Sequence, residues 1–192
     1  YRRMKILLVH NKYSDIAPSG ENRVFEMERD LLALHGNLVE TFTKDSSELS
    51  SKNILHAALT GIGYVWNQNS LRALNRVVRH FNPDVIHFHN TFPILSPSVF
   101  YVDAPAGTRK ILTAHNYRGF CSNGMALLDN KICLNCQTGD VSRAVLSRCY
   151  RGSRLKTLPV ALSIKIHRMA DTINRKIDKI ISVSEFQRNI LI

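Results

Sequence analysis

Four cysteines, Cys121, Cys133, Cys136 and Cys149, are the only ones in this 192-residue chain, and they fall inside thirty residues as C-x11-C-x2-C-x12-C. Four thiolates with a two-residue knuckle between the central pair satisfy tetrahedral zinc, with no open position for water, so the metal they suit is structural. Reduced thiols without metal, disulfides and an iron–sulfur cluster are the alternatives. The chain opens on no secretory signal, which points to a reducing cytoplasm and counts against disulfides. A second group of polar residues recurs at the ends of apolar runs: His10 and Asn11, then His87, His89 and Asn90, then His115 and Asn116, then Ser182 and Ser184. Imidazole and carboxamide groups can both donate to and accept from sugar hydroxyls without a fixed charge. Each of them alone reads as well as a strand-end residue bonded to backbone.

Ser19-Gly20-Glu21-Asn22 stands just ahead of a helical pattern. A glycine there allows a phosphate to approach the N–H groups at the positive end of a helix, although an ordinary turn glycine fits equally well. Neither G-x-G-x-x-G nor G-x-x-x-x-G-K-[ST] occurs, which argues against a dinucleotide-dependent dehydrogenase and a phosphate-loop NTPase. No Asp-x-Asp pair occurs either, so no catalytic metal is expected.

The elements that must hold these groups alternate. Met4 to His10 is an Ile/Leu/Val-rich run of the kind buried on both faces of a parallel sheet. Between Glu21 and His35, Val24, Phe25, Met27, Leu31, Leu32 and Leu34 recur at helical spacing, and Gly36 stops the run. Leu38 to Thr43 predicts a second strand. A helix is placed around Lys52 to Leu59 and another over Ser70 to Phe81, ended by Asn82-Pro83. Asp84 to Asn90, Arg109 to His115 and Lys179 to Val183 predict further strands, and a helix starts near Ser184-Glu185. The alternation predicts an α/β fold: a doubly wound, mostly parallel Rossmann-like sheet carrying a cysteine-containing loop insertion. In such sheets ligands bind beyond the carboxyl ends of the strands, where the His and Asn residues lie.

Lys and Arg outnumber Asp and Glu by 26 to 15, and residues 141–192 alone hold eleven against three. This basic third permits nucleic acid, an anionic membrane or a phosphorylated substrate as partner. Leu158, Leu162, Ile166, Met169, Ile173 and Ile177 form a helical stripe with Lys165, Arg168, Arg175 and Lys176 off it. The favoured reading is a core-facing helix with a solvated basic side; the other is an interfacial surface near anionic lipid.

Met4 to His10 with Ser19-Gly20-Glu21-Asn22-Arg23-Val24-Phe25 and His35-Gly36 resembles the opening of family-4 retaining glycosyltransferases. Pro83-Asp84-Val85-Ile86-His87-Phe88-His89, Thr113-Ala114-His115-Asn116 and Ile180-Ile181-Ser182-Val183-Ser184 resemble that family's later landmarks, in the same order. Arg148-Cys149-Tyr150-Arg151-Gly152-Ser153 resembles a run in those members that carry a cysteine segment. The resemblance implies a GT-B enzyme of two facing Rossmann-like domains that moves a sugar from a nucleotide-sugar donor to a saccharide or lipid-linked acceptor with retention. Residues 4–192 would be the N-terminal, acceptor-side domain, with residues 118–152 as the Cys-rich insertion. The donor-binding domain would be absent, leaving this part alone inactive. By the same resemblance, Ser19, Gly20 and Glu21 lie at the donor phosphates, His115 is catalytic, and His87, His89, Asn90 and Asn116 line the acceptor side. A serine stands at position 19 where the family commonly has glycine, and Asn37 stands where a histidine often follows the first helix. The implied location is cytoplasmic, peripheral to the inner membrane face. The reading from another class is a zinc-containing basic nucleic-acid-binding module. No nucleic acid is expected, because the basic residues are not interleaved with exposed aromatics and no RNA-binding or helix-turn-helix signature appears.

Overall fold

Strand β1 (Lys5–Lys12) alternates its side chains between two cores, and that alternation sets the architecture. Leu7 and Val9 point to one face, where Leu71, Leu74 and Val78 of helix α2 (Gln68–Phe81) close over them with Ile86, Phe88, Leu95 and Val99. Ile6 and Leu8 point to the other, against Phe25 of helix α1 (Gly20–Leu34). The computed structural model describes residues 3–13, 19–46 and 61–191; the helix expected around Lys52 to Leu59 lies outside them. With β2 (Leu38–Asp45), β3 (Val85–Phe88), β4 (Arg109–Ala114) and β7 (Lys179–Ser182), β1 forms a five-stranded sheet of order β2-β1-β3-β4-β7. All four pairings are parallel. The fold is the expected doubly wound Rossmann-like α/β sheet. The chain leaves β1 outward to β2 and returns to β3 on the other side of β1. Right-handed crossovers then put α1 and α2 on opposite faces and open a crevice between the ends of β1 and β3.

Local signals act as their chemistry requires. The Asn67 side chain caps α2 by accepting from the Ser70 N–H, and Asn82 ends that helix in the left-handed region at φ 52°. Gly36, at φ +82°, takes the left-handed turn that ends α1. Between β4 and β7 the cysteine-bearing segment is more structured than a loop. It holds a short hairpin, β5 (Leu127–Leu128) and β6 (Lys131–Ile132), and a one-turn helix α3 (Ser142–Leu146). Helix α4 (Arg154–Met169) follows, then α5 (Thr172–Lys176), and α6 (Glu185–Leu191) comes after β7. No helix among the described residues is long and apolar enough to cross a membrane.

Two helix faces differ from the sequence reading. Val24, Met27, Leu31 and Leu34 of α1 are exposed and Phe25 alone of that helix is buried, because the inward face is shared with the polar residues Glu21, Asn22 and Glu28. The stripe from Leu158 to Ile177 is not continuous. The chain turns at Asp171, at φ 50°, so Ile173 and Ile177 join the main core while Leu158, Leu162, Ile166 and Met169 face outward. The buried side of α4 is instead Thr157, Val160, Ala161, Ser163, Ile164 and His167.

Candidate functional site

The crevice at the ends of β1 and β3 is built from paired His and Asn residues. His10 and Asn11 close β1, and the two residues after β3 are His89 and Asn90, so the parallel register sets them side by side. The asparagines act as staples. Asn11 donates its N–H to the Asn90 carbonyl at 2.7 Å, and the Asn90 amide donates to the Asn11 carbonyl at 3.0 Å and to the Phe92 carbonyl at 2.9 Å. The Asn90 carboxamide oxygen accepts from the Phe92 N–H. Asn90 therefore has both ends of its side chain engaged with backbone, and it ties the end of β3 to the end of β1 rather than presenting a free group.

Residues 10, 87, 89 and 115 share the face covered by α1, where they stack into a buried imidazole cluster. His10 lies on Phe25 at 4.7 Å, His87 and His89 rings are 4.5 Å apart, and His89 stacks on His115 at 5.2 Å. Helix α1 answers this polar patch with its own polar inward face. Glu28 pairs with His87 Nδ1 at 2.7 Å and stands 3.5 Å from His89 Nε2. Asn22 meets His10 Nε2 at 2.9 Å, and Glu21 accepts from the Asn116 amide at 2.8 Å. On the far side His87 Nε2 meets Thr113 Oγ1 at 2.8 Å, and His89 Nδ1 meets His115 Nε2 at 3.0 Å. Burial pushes His10 down to about 4, and burial reinforced by the neighbouring imidazoles pushes His89 down to about 2. Burial lowers His115 in the same direction. At neutral pH these three rings are uncharged and act as hydrogen-bonding groups.

Glu28, His87 and His89 form the one group of three metal-ligand side chains among the described residues whose ligating atoms lie within 4.8 Å of one another. The 2.7 Å contact between Glu28 and His87 is a hydrogen-bond distance. Two ligands about 2.0–2.1 Å from one tetrahedral ion stand roughly 3.3 Å apart, so the geometry favours a proton between these two groups over a cation.

Beyond the cluster a cavity of about 590 Å³ opens between the ends of β3 and β4, the cysteine segment and the inner face of α4. His89, His115, Asn116, Phe92 and Ile164 are among its largely apolar walls. Arg118 flanks it, its guanidinium 3.9 Å above the Phe92 ring and bonded to the Ser122 carbonyl at 2.6 Å, with Nε buried and unpartnered. Ser184 caps α6, and Gln187, buried at its third position, donates to the Asn116 carbonyl. Ser19 sits at the N-cap of α1 and makes no side-chain cap bond. Gly20 opens the helix, and a Cβ added there would meet no described atom within 4 Å. Sequence reasoning missed Glu28, Thr113, Arg118 and Phe92. The one available signal was the spacing of Glu21 and Glu28, two turns apart on one helix face.

The four cysteines are free thiols sharing one lobe, with Cys121 and Cys136 buried. Burial raises Cys136 and Cys149, and neighbouring thiols add to the rise. Cys121 Sγ lies 3.0 Å from Asn123 Oδ1, and the backbone turns at Leu134–Gln137 and Cys136–Gly139 carry the knuckle. Arg168 of α4 clasps the lobe through the Cys136 and Gln137 carbonyls. The sulfurs do not draw into a three-ligand cluster as tight as that of Glu28, His87 and His89.

The class defined by this architecture is an open parallel α/β sheet with a polar crevice at its topological switch point. Comparison with family models, curated proteins and solved structures found no match.

Proposed function

We propose that this chain is the acceptor-side half of a GT-B glycosyltransferase that moves a sugar from a nucleotide-sugar donor to a saccharide or lipid-linked acceptor, with retention of configuration as the family resemblance implies. The observation that carries the reading is the meeting of His89, His115 and Asn116 on the wall of one cavity at the ends of β3 and β4. An uncharged imidazole there suits hydroxyl recognition and transition-state hydrogen bonding better than charge pairing. His115 is the member assigned to the reacting sugar; its Nε2 is held by His89, which leaves Nδ1 for a ligand. His87 is buried and acts through Glu28 and Thr113, so its contribution is to hold the cluster rather than to touch acceptor. The uncapped start of α1, with Ser19, Gly20 and Glu21, is assigned to the donor phosphates. In the two-domain enzyme, His115→Ala is expected to lower turnover about tenfold or more with little change in donor affinity, because the contact tightens mainly in the transition state. Equal losses in both would remove His115 from that role.

The cysteine lobe is assigned one structural zinc on Cys121, Cys133, Cys136 and Cys149. What supports it is the C-x11-C-x2-C-x12-C spacing of the four thiols in a segment that Arg168 holds through the Cys136 and Gln137 carbonyls. A closed tetrathiolate ion would contribute folding energy to the segment and no chemistry to the transfer.

A further inference from the structure

We infer that helix α4 is a docking surface for anionic lipid bilayers. Its outer side carries Leu155, Leu158, Leu162, Ile166 and Met169, with 85%, 53%, 45%, 40% and 78% of their surface exposed. At 100° per residue these five fall within an arc of about 80°, so they form one continuous apolar stripe. Among the described residues nothing covers it. The opposite side of the helix is fixed in place, with Ser163 bonded to the Tyr64 carbonyl and His167 to the Val65 carbonyl and Thr172.

Charge selects the occupant. The thirty residues 141–170 hold seven Lys and Arg (Arg143, Arg148, Arg151, Arg154, Lys156, Lys165 and Arg168) and no Asp or Glu. All seven are exposed. On the helix itself Arg154, Lys165 and Arg168 run along one side of the stripe and Lys156 along the other. An apolar strip bordered by cations matches a bilayer surface, whose acyl region takes the leucines while anionic headgroups take the Lys and Arg. A second copy of this chain would bring the same cations face to face, and a nucleic acid would set phosphates against the leucines. The inner side of α4 lines the cavity beside His115 through Val160, Ser163 and Ile164. Docking would therefore set that cavity beside the membrane, while the docking itself does not depend on the sugar-transfer reading.

The test is flotation with vesicles of phosphatidylcholine containing about one-third phosphatidylglycerol, against phosphatidylcholine alone. The chain should bind the anionic vesicles at low salt and about tenfold or more weaker to the neutral ones, and binding should fall as the screening length shrinks from about 8 Å to about 3 Å between physiological salt and 1 M. Leu155→Ser with Leu158→Ser and Met169→Ser should weaken binding about tenfold or more with an unchanged circular dichroism spectrum. Lys156→Glu with Lys165→Glu, two exposed positions that carry no core packing, should weaken it at low salt. No binding, equal binding to both vesicles, or loss of neither variant's affinity overturns the proposal. So does sedimentation showing a dimer that the serine variant dissolves, since a second copy would then own the stripe.

Discussion

Acidification should unfold this protein earlier than its carboxylates alone require, because two buried imidazoles must stay neutral for α1 to close over the sheet. His10 is lowered from 6.5 to about 4 and His89 from 6.5 to about 2. In the unfolded chain both titrate near 6.5, so below that pH the unfolded state binds more protons than the folded one. The stability held by the neutral rings is then complete above pH 6.5 and is lost as pH falls toward the folded values. Each ring contributes a slope of about 1.4 kcal/mol per pH unit, or about 2 kcal/mol by pH 5. The pair thus removes about 4 kcal/mol by pH 5, a large share of the 5–15 kcal/mol that holds a typical domain of this kind together, roughly. His115 and His167, lowered by burial in the same direction, steepen the fall. Urea unfolding at pH 7.5, 6.5, 5.75 and 5.0 measures it. The midpoint should fall slightly across the first pair, for a loss of about 0.4 kcal/mol per ring, and steeply across the rest, and His89→Gln should reduce the drop by about one proton's worth. A midpoint that does not move between pH 6.5 and 5.0 would refute the buried neutral cluster.

Glu28→Leu strands the His87 Nδ1–H that Glu28 now accepts at 2.7 Å, and should cost about 1–3 kcal/mol in unfolding free energy, whereas Glu28→Gln, which keeps an acceptor, should cost less. Equal costs would mean that shape, not the hydrogen bond, is what Glu28 supplies. Gly20→Ala meets no described atom within 4 Å at the first turn of α1 and should leave stability unchanged or raised by up to about 1 kcal/mol. Gly20→Val in the two-domain enzyme should raise the Michaelis constant for donor, and an unchanged constant would end the phosphate assignment. Protein purified without added metal should carry about one zinc per chain, and chelation should speed hydrogen exchange in residues 118–152 more than in the sheet. Metal-free protein, or a Cys121–Cys149 disulfide under reducing conditions, would exclude the tetrathiolate site.

The order of the five strands of the main sheet, with α1 and α2 between them, was legible from the chain because each depends on local periodicity and on punctuation that acts within a few residues, whereas the short β5–β6 hairpin and α3 carry no such pattern. Ile6 to Val9 could only be a doubly buried strand, and Asn82-Pro83 and Gly36 could only end helices, whatever packed around them. The chemistry of the strand ends was legible too, since a carboxyl-end position follows from where an apolar run stops. Which face each helix turns inward was not. Two apolar stripes on α1 and α4 satisfy helical periodicity as well as their buried alternatives do, and the choice between them depends on partners far away in sequence. Glu28 faces inward because His87, fifty-nine residues later, offers it a donor. The inner side of α4 is fixed by carbonyls of Tyr64 and Val65 about a hundred residues earlier. A buried polar group must find its partner before an apolar one can claim the same space, because an unmet hydrogen bond costs about as much as a leucine side chain gains by burial.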